Sequence, residues 1–136
     1  MRTVFADTGY WVAFINRQDP YHHKVKELGD ALKDVRILTS EVVLIELLTY
    51  FSNKGEFFRK IAVAALKNIQ QDPLIVVVPQ TKALFESTVI RYDKMSDKLW
   101  SFTDCCSFEI MKAKRIREAL AHDKHFVQAG FVALLR

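Results

Sequence analysis

The chain has 136 residues, half of them hydrophobic and 26% charged, with ten Phe; this suits one domain over residues 1–136 with its own core and excludes a disordered chain. The two Cys, Cys105 and Cys106, are neighbours that close no loop, and Met1-Arg2 runs straight into a strand pattern, so the chain reads as soluble and cytoplasmic, without disulfide framework, signal peptide or membrane span. The net charge of +4 divides evenly, each half carrying ten Lys/Arg and eight Asp/Glu, so any electrostatic footprint is a patch made by folding rather than a charged tail.

Short apolar runs alternate with longer amphipathic ones. Thr3 to Ala6 reads as a buried strand ending at Asp7, followed by a short helix from Thr8 to Ile15. Asp19-Pro20 punctuates before a second helix, Tyr21 to Leu32, and Arg36 to Thr39 is the next strand. Ser40 starts an apolar helix through Phe51, closed by Asn53-Lys54-Gly55, and another helix spans Glu56 to Gln70. Leu74 to Val78 is the clearest strand; Pro79-Gln80-Thr81 then caps a helix to Tyr92. A helix follows Ser101 to about Arg115, then a short strand at Ala119 to Ala121, a helical turn, and a last strand from Phe131 to Leu135. Apolar strands separated by helices indicate an α/β domain, with a mostly parallel sheet covered on both faces.

Ligands of such sheets gather at the carboxyl ends of the strands. Asp7 ends the first strand, Asp123 follows the Ala119 strand, and Asp104 opens a helix. Glu46 lies within an otherwise apolar helix and shares a face with Thr49, Tyr50 and Asn53. Each carboxylate also has a local explanation. Asp7 and Asp123 suit helix caps, Ser101-x-x-Asp104 matches a capping box, and Glu46 suits a solvated stripe. Taken together, four acids from distant stretches that met at one mouth would repel unless a cation joined them. Mg²⁺ or Mn²⁺ is the ordinary solution, and such an ion activates water beside a phosphate. With four of the 16 acids in the site, 12 remain against 20 Lys and Arg, which suits a polyanionic strand as substrate. Candidate contacts are Lys112, Lys114, Arg115 and Arg117, with Arg59, Lys60, Arg91, Lys94 and Lys98.

Other chemistries fit less well. Adjacent Cys105 and Cys106 lack the spacer a zinc site needs despite His122 and His125. They read instead as core residues, and His125 as an orienting side chain rather than a ligand. His22-His23 reads as a surface pair, and Trp11 and Trp100 as core residues. Four Gly provide no phosphate-cradling loop. In a phospho-acceptor domain the strongest strand would end in Asp, whereas Leu74–Val78 ends in Pro79.

Four blocks in order carry a family resemblance: Val4-Phe5-Ala6-Asp7-Thr8 with Trp11; Leu38-Thr39-Ser40-Glu41 through Glu46-Leu47-Leu48; Asp97 through Trp100-Ser101-Phe102-Thr103-Asp104 to Phe108; and Ala119 through His122-Asp123 to Phe126, then Gly130-Phe131. The chain resembles a PIN-domain ribonuclease, of the small kind typified by the VapC toxins of type II toxin–antitoxin systems. The resemblance implies a three-layer α/β/α fold and Mg²⁺- or Mn²⁺-dependent endoribonuclease chemistry. It places the acidic quartet on Asp7, Glu46, Asp104 and Asp123, with Thr8 and Thr103 as supporting hydroxyls. It also implies an RNA substrate, a small antitoxin over the acidic mouth and a homodimer. The alternative is a PIN-like fold retained as a non-catalytic RNA- or protein-binding module, against which the retention of all four acids argues.

Overall fold

A computed structural model describes residues 1–136. Five parallel strands form the sheet: β1 (Thr3–Ala6), β2 (Arg36–Ser40), β3 (Ile75–Val78), β4 (Glu118–Leu120) and β5 (Val132–Ala133), in the order β3-β2-β1-β4-β5. The helices are α1 (Thr8–Ile15), α2 (His22–Ala31), α3 (Glu41–Phe51), α4 (Glu56–Gln71), α5 (Lys82–Lys94), α6 (Phe102–Ala113) and α7 (Lys124–Gln128). No helix is long and apolar enough to cross a membrane.

The topology follows from a few local signals. Val4, Phe5 and Ala6 are fully buried, so β1 takes the middle of the sheet between β2 and β4. Ser40 accepts the Val43 amide at 3.1 Å and starts α3, and Thr81 accepts the Leu84 amide at 3.1 Å and starts α5. The chain steps from β1 to β2 to β3 in one direction, then returns past β1 to β4 and β5. Right-handed crossovers therefore put α1–α4 on one face and α5–α7 on the other. Accordingly α1 packs on α2, α3 and α4, and α6 packs on α5 and α7. The result is the three-layer α/β/α arrangement.

Three expectations are adjusted. β3 is an edge strand with Val76 40% exposed, not a strand covered on both faces; its apolar run had suggested full burial. The last strand is regular only over Val132–Ala133, although Leu134 and Leu135 still donate to the Ala119 and Ala121 carbonyls at 2.9 and 3.1 Å. α6 ends at Ala113, because Arg115 turns left-handed (φ 57°). The Ile116 and Arg115 amides then bond the Met111 and Lys112 carbonyls at 2.8 and 3.2 Å, a Schellman closure with Arg where Gly is usual.

Candidate metal centre

The strand order reverses direction between β1 and β4, and the crevice beyond their carboxyl ends is where this architecture opens a site. Asp7 leaves β1 there, with its amide donating to the Leu120 carbonyl of β4 at 3.2 Å. Asp123 follows β4, and Asp104 stands in the first turn of α6. Buried Thr39, on β2, braces the same edge by donating to the Ala6 carbonyl at 2.9 Å and accepting from Trp11 Nε1 at 3.3 Å. Trp11 is thus a core residue, as its sequence context suggests.

Asp104 and Asp123 are each anchored locally and still meet. Asp104 completes a capping box: its Oδ2 accepts the Ser101 amide at 3.1 Å, and its own amide donates to Ser101 Oγ at 3.0 Å. Asp123 Oδ1 caps α7 through the His125 amide at 2.9 Å. The donor atoms of Asp104, Asp123 and His125 lie within 4.8 Å of one another. The capping and site readings of these two residues therefore coexist, because each local bond engages one oxygen of a carboxylate that has two.

Asp7 sits at the N-cap of α1 without a side-chain capping bond. Burial pushes its carboxyl up from 3.8 to about 7; the Thr8 amide opposes the shift, and the charges of Asp104, Glu46 and Asp123 add to it. Glu46 is half-buried on α3, near buried Leu47 and exposed Thr49 and Tyr50, and its carboxylate takes part in no hydrogen bond or ion pair. Asp104 is buried and is likewise raised, first by desolvation and then by Asp123, against the Ser101 amide and His125. Asp7 and Glu46 do not join the tight group of donors, but both contribute to its field. Thr8 Oγ1 is buried with no partner, beside Asp7. Thr103 is half-buried in the first turn of α6 and makes no side-chain hydrogen bond.

This donor set fits a hard divalent cation. Two of its three clustered donors are carboxylate oxygens, the nearby acidic charges repel until neutralised, and the buried Thr8 hydroxyl beside Asp7 has no partner. Cys105 and Cys106 are free and packed in the core, which leaves a zinc reading without sulfur ligands. A concavity of about 810 Å³, lined by α1, α2 and α4, contains none of the four acids.

The basic residues divide. Lys114, Arg115 and Arg117 lie between the end of α6 and the start of β4, at the amino end of the strands, about 15 Å of helix from Asp104. Lys60 pairs with Glu56 at 3.0 Å, Lys98 with Asp97 at 3.4 Å, and Arg91 with Glu109. Two cations that the sequence reading did not single out flank Asp123: Lys124, next to it in the chain, and Arg136, whose Nη1 donates to the His122 carbonyl at 3.3 Å. His22 is no surface residue either; its Nδ1 meets the Ala13 carbonyl at 2.6 Å.

The PIN domain family matches residues 4–132. The chain belongs to the PIN-domain family. The 23S rRNA-specific endonuclease VapC20 of Mycobacterium tuberculosis is 33% identical over 132 residues, covering 95% of each chain. The crystal structure of VapC20, described as a sarcin–ricin loop cleaving toxin, superimposes with a TM-score of 0.84 over 95% of this chain and 96% of that one, at 32% identity. The fold recurs in VapBC2 from Rickettsia felis bound to a promoter DNA fragment (TM-score 0.68, 14% identity, 96% of both chains). It recurs again in FitAcB from Neisseria gonorrhoeae (TM-score 0.62, 18% identity, 96% of this chain and 94% of that one).

Proposed function

We propose that this chain is a divalent-metal-dependent endoribonuclease and the toxin of a type II toxin–antitoxin pair. The observation that carries the reading is the meeting of the Asp104 and Asp123 carboxylates beyond the carboxyl ends of β1 and β4, with Asp7, raised to about 7 chiefly by burial, and Glu46 adding to the same field. A metal-free protein has no use for such crowding, whereas a bound cation turns the repulsion into affinity. Membership of the family and the likeness to an rRNA endonuclease support the same reading.

The four carboxylates would hold Mg²⁺ or Mn²⁺, which supplies an activated water and offsets charge on the phosphate. Asp104 and Asp123 bring preset oxygens, because each is tied to a neighbouring backbone amide. Asp7 and Glu46 complete the negative field, and the Thr8 hydroxyl is free to orient a water. Lys124 and Arg136 would hold flanking phosphates of the strand. Thr103, next to Asp104 in the first turn of α6, would supply a supporting hydroxyl. In-line attack would leave a 5′-phosphate and a 3′-hydroxyl.

A small antitoxin is the proposed partner, placed over the acidic mouth with a cation among the carboxylates. The groove between α1 and α4, lined by Phe14, Phe57, Phe58 and Ile61, gives such a partner apolar surface to bury. A homodimer through the exposed apolar residues of α5, Phe85, Val89 and Ile90, is proposed as well.

The substrate of the relative makes a 23S rRNA fragment with its sarcin–ricin loop the first RNA to test. Discrete products ending in 5′-phosphate, formed with Mn²⁺ and absent in chelator, are expected. Intact RNA, across this fragment and a panel of structured and single-stranded RNAs, would favour a binding module instead.

A further inference from the structure

The tight part of the acidic centre contains a residue that is not an acid. His125 Nδ1 lies 2.9 Å from Asp104 Oδ2 and 3.2 Å from Asp123 Oδ1. A ring nitrogen facing two carboxylate oxygens carries a hydrogen there, because a bare lone pair would meet two others. We propose that His125 is a positioning residue of the centre. Its Nδ1 hydrogen-bonds Asp104 Oδ2 while facing Asp123 Oδ1 as a close polar contact, and thereby holds carboxylates from two separate elements at one spacing before the ion arrives.

The surroundings make that contact rigid. α7 is a five-residue helix, too short to hold its place alone. Phe126, fully buried, meets Phe108 of α6 edge to face with ring centroids 5.0 Å apart. At the other end of α7, Trp100 Nε1 donates to Gln128 Oε1 at 3.0 Å. These contacts press α7 against the start of α6, so the imidazole arrives at Asp104 from a fixed direction, with its side chain only 17% exposed. Both oxygens it touches already accept a backbone amide, from Ser101 and from His125 itself. The histidine therefore adds one further bond to Asp104 and, through its contact with Asp123, the link between the two acids. Partners that orient metal-binding carboxylates in this way commonly control affinity by about tenfold or more.

The proposal rests on the reading of these acids as ligands of the ion, and the experiment separates the two. Binding of Mn²⁺ alone, without RNA, is followed by the loss of the free-ion electron paramagnetic resonance signal. The proteins are wild type, Asp104→Asn, His125→Ala, His125→Asn and His125→Gln. Asparagine places an N–H near the Nδ1 position, whereas glutamine places one near Nε2. His125→Ala and His125→Gln are expected to bind Mn²⁺ roughly tenfold more weakly, and His125→Asn within about threefold of wild type. Thermal melts in chelator identify folded variants; should His125→Ala not fold, the contrast between Asn and Gln carries the result. Wild-type affinity in His125→Ala or His125→Gln, or equal loss in Asn and Gln, overturns the proposal. Wild-type affinity in Asp104→Asn overturns the ligand reading beneath it.

Discussion

A methyl group on Gly9 would lie 2.7 Å from His122 Nε2 and 3.1 Å from its Cδ2. The imidazole cannot simply swing away, because it stacks on Tyr21 with ring centroids 4.3 Å apart and an interplanar angle of 5°. Gly9 is the second residue of α1, where helix propensity alone would make Ala the better residue by up to about 1 kcal/mol. Close approach and propensity thus have opposite signs. Gly9→Ala is expected to lower the melting temperature, and the double variant Gly9→Ala/His122→Ala to recover it relative to His122→Ala alone. A Gly9→Ala variant more stable than wild type would show that the ring has room to move.

The pH dependence follows from Asp7. Its carboxyl titrates at about 7 in the fold against an ordinary 3.8. Between those values the folded protein holds a proton that the unfolded chain has released, so stability declines as pH rises through that interval and stays lower above it. Asp104 is shifted in the same direction and adds to the decline. Asp7→Asn removes the term: in chelator its melting temperature should match wild type near about pH 4 and exceed it at about pH 8. Saturating Mn²⁺ should reverse the order at the higher pH, because the wild type gains a ligand that the variant lacks. Equal melting temperatures throughout the range would mean that burial and its acidic neighbours do not raise the Asp7 carboxyl.

Thr8 gives a second separation of stability from function. An unpartnered buried hydroxyl is a cost of about 1–3 kcal/mol, and Thr8 Oγ1 is one. Thr8→Val, of nearly equal volume, should melt in chelator at or above the wild-type temperature while RNA cleavage falls by roughly tenfold. Reduced stability of the metal-free variant would reveal a partner for the hydroxyl.

Much of this was legible in the chain. The β1, β2 and β4 strands announce themselves by apolar runs that stop at polar residues, and Ser101-x-x-Asp104 foretells its capping box. Asp97, at the start of the same block, lies at the surface, paired with Lys98. What one dimension hides is handedness and end. Lys112, Lys114, Arg115 and Arg117 form the densest basic cluster, but α6 carries them away from the mouth, whereas Arg136 comes back to it through the His122 carbonyl. The closure of α6 was hidden for a different reason: Arg115 adopts the conformation usually signalled by Gly. The partners of His125 depend on where α7 packs, which the two-residue spacing from Asp123 does not encode.

That partition yields a charge prediction. Replacing Lys124 and Arg136 together with Gln should weaken RNA binding and flatten its salt dependence by a slope of about 2, while the same change at Arg115 and Arg117 should leave both unaltered. Fluorescence anisotropy in chelator, where no cleavage intervenes, reads both quantities. A larger effect from Arg115 and Arg117 would put the RNA track at the amino end of the strands.

The most direct test of the acidic centre is RNA cleavage by wild type and Asp104→Asn, each with Mn²⁺, with Mg²⁺ and with chelator. Asparagine retains an oxygen for the Ser101 amide, so the capping contact survives and the charge alone is lost. The wild type should cut only with a divalent ion, and the variant should lose activity by on the order of a hundredfold or more with either metal. Cleavage by Asp104→Asn at the wild-type rate, or by the wild type in chelator, would contradict the assignment.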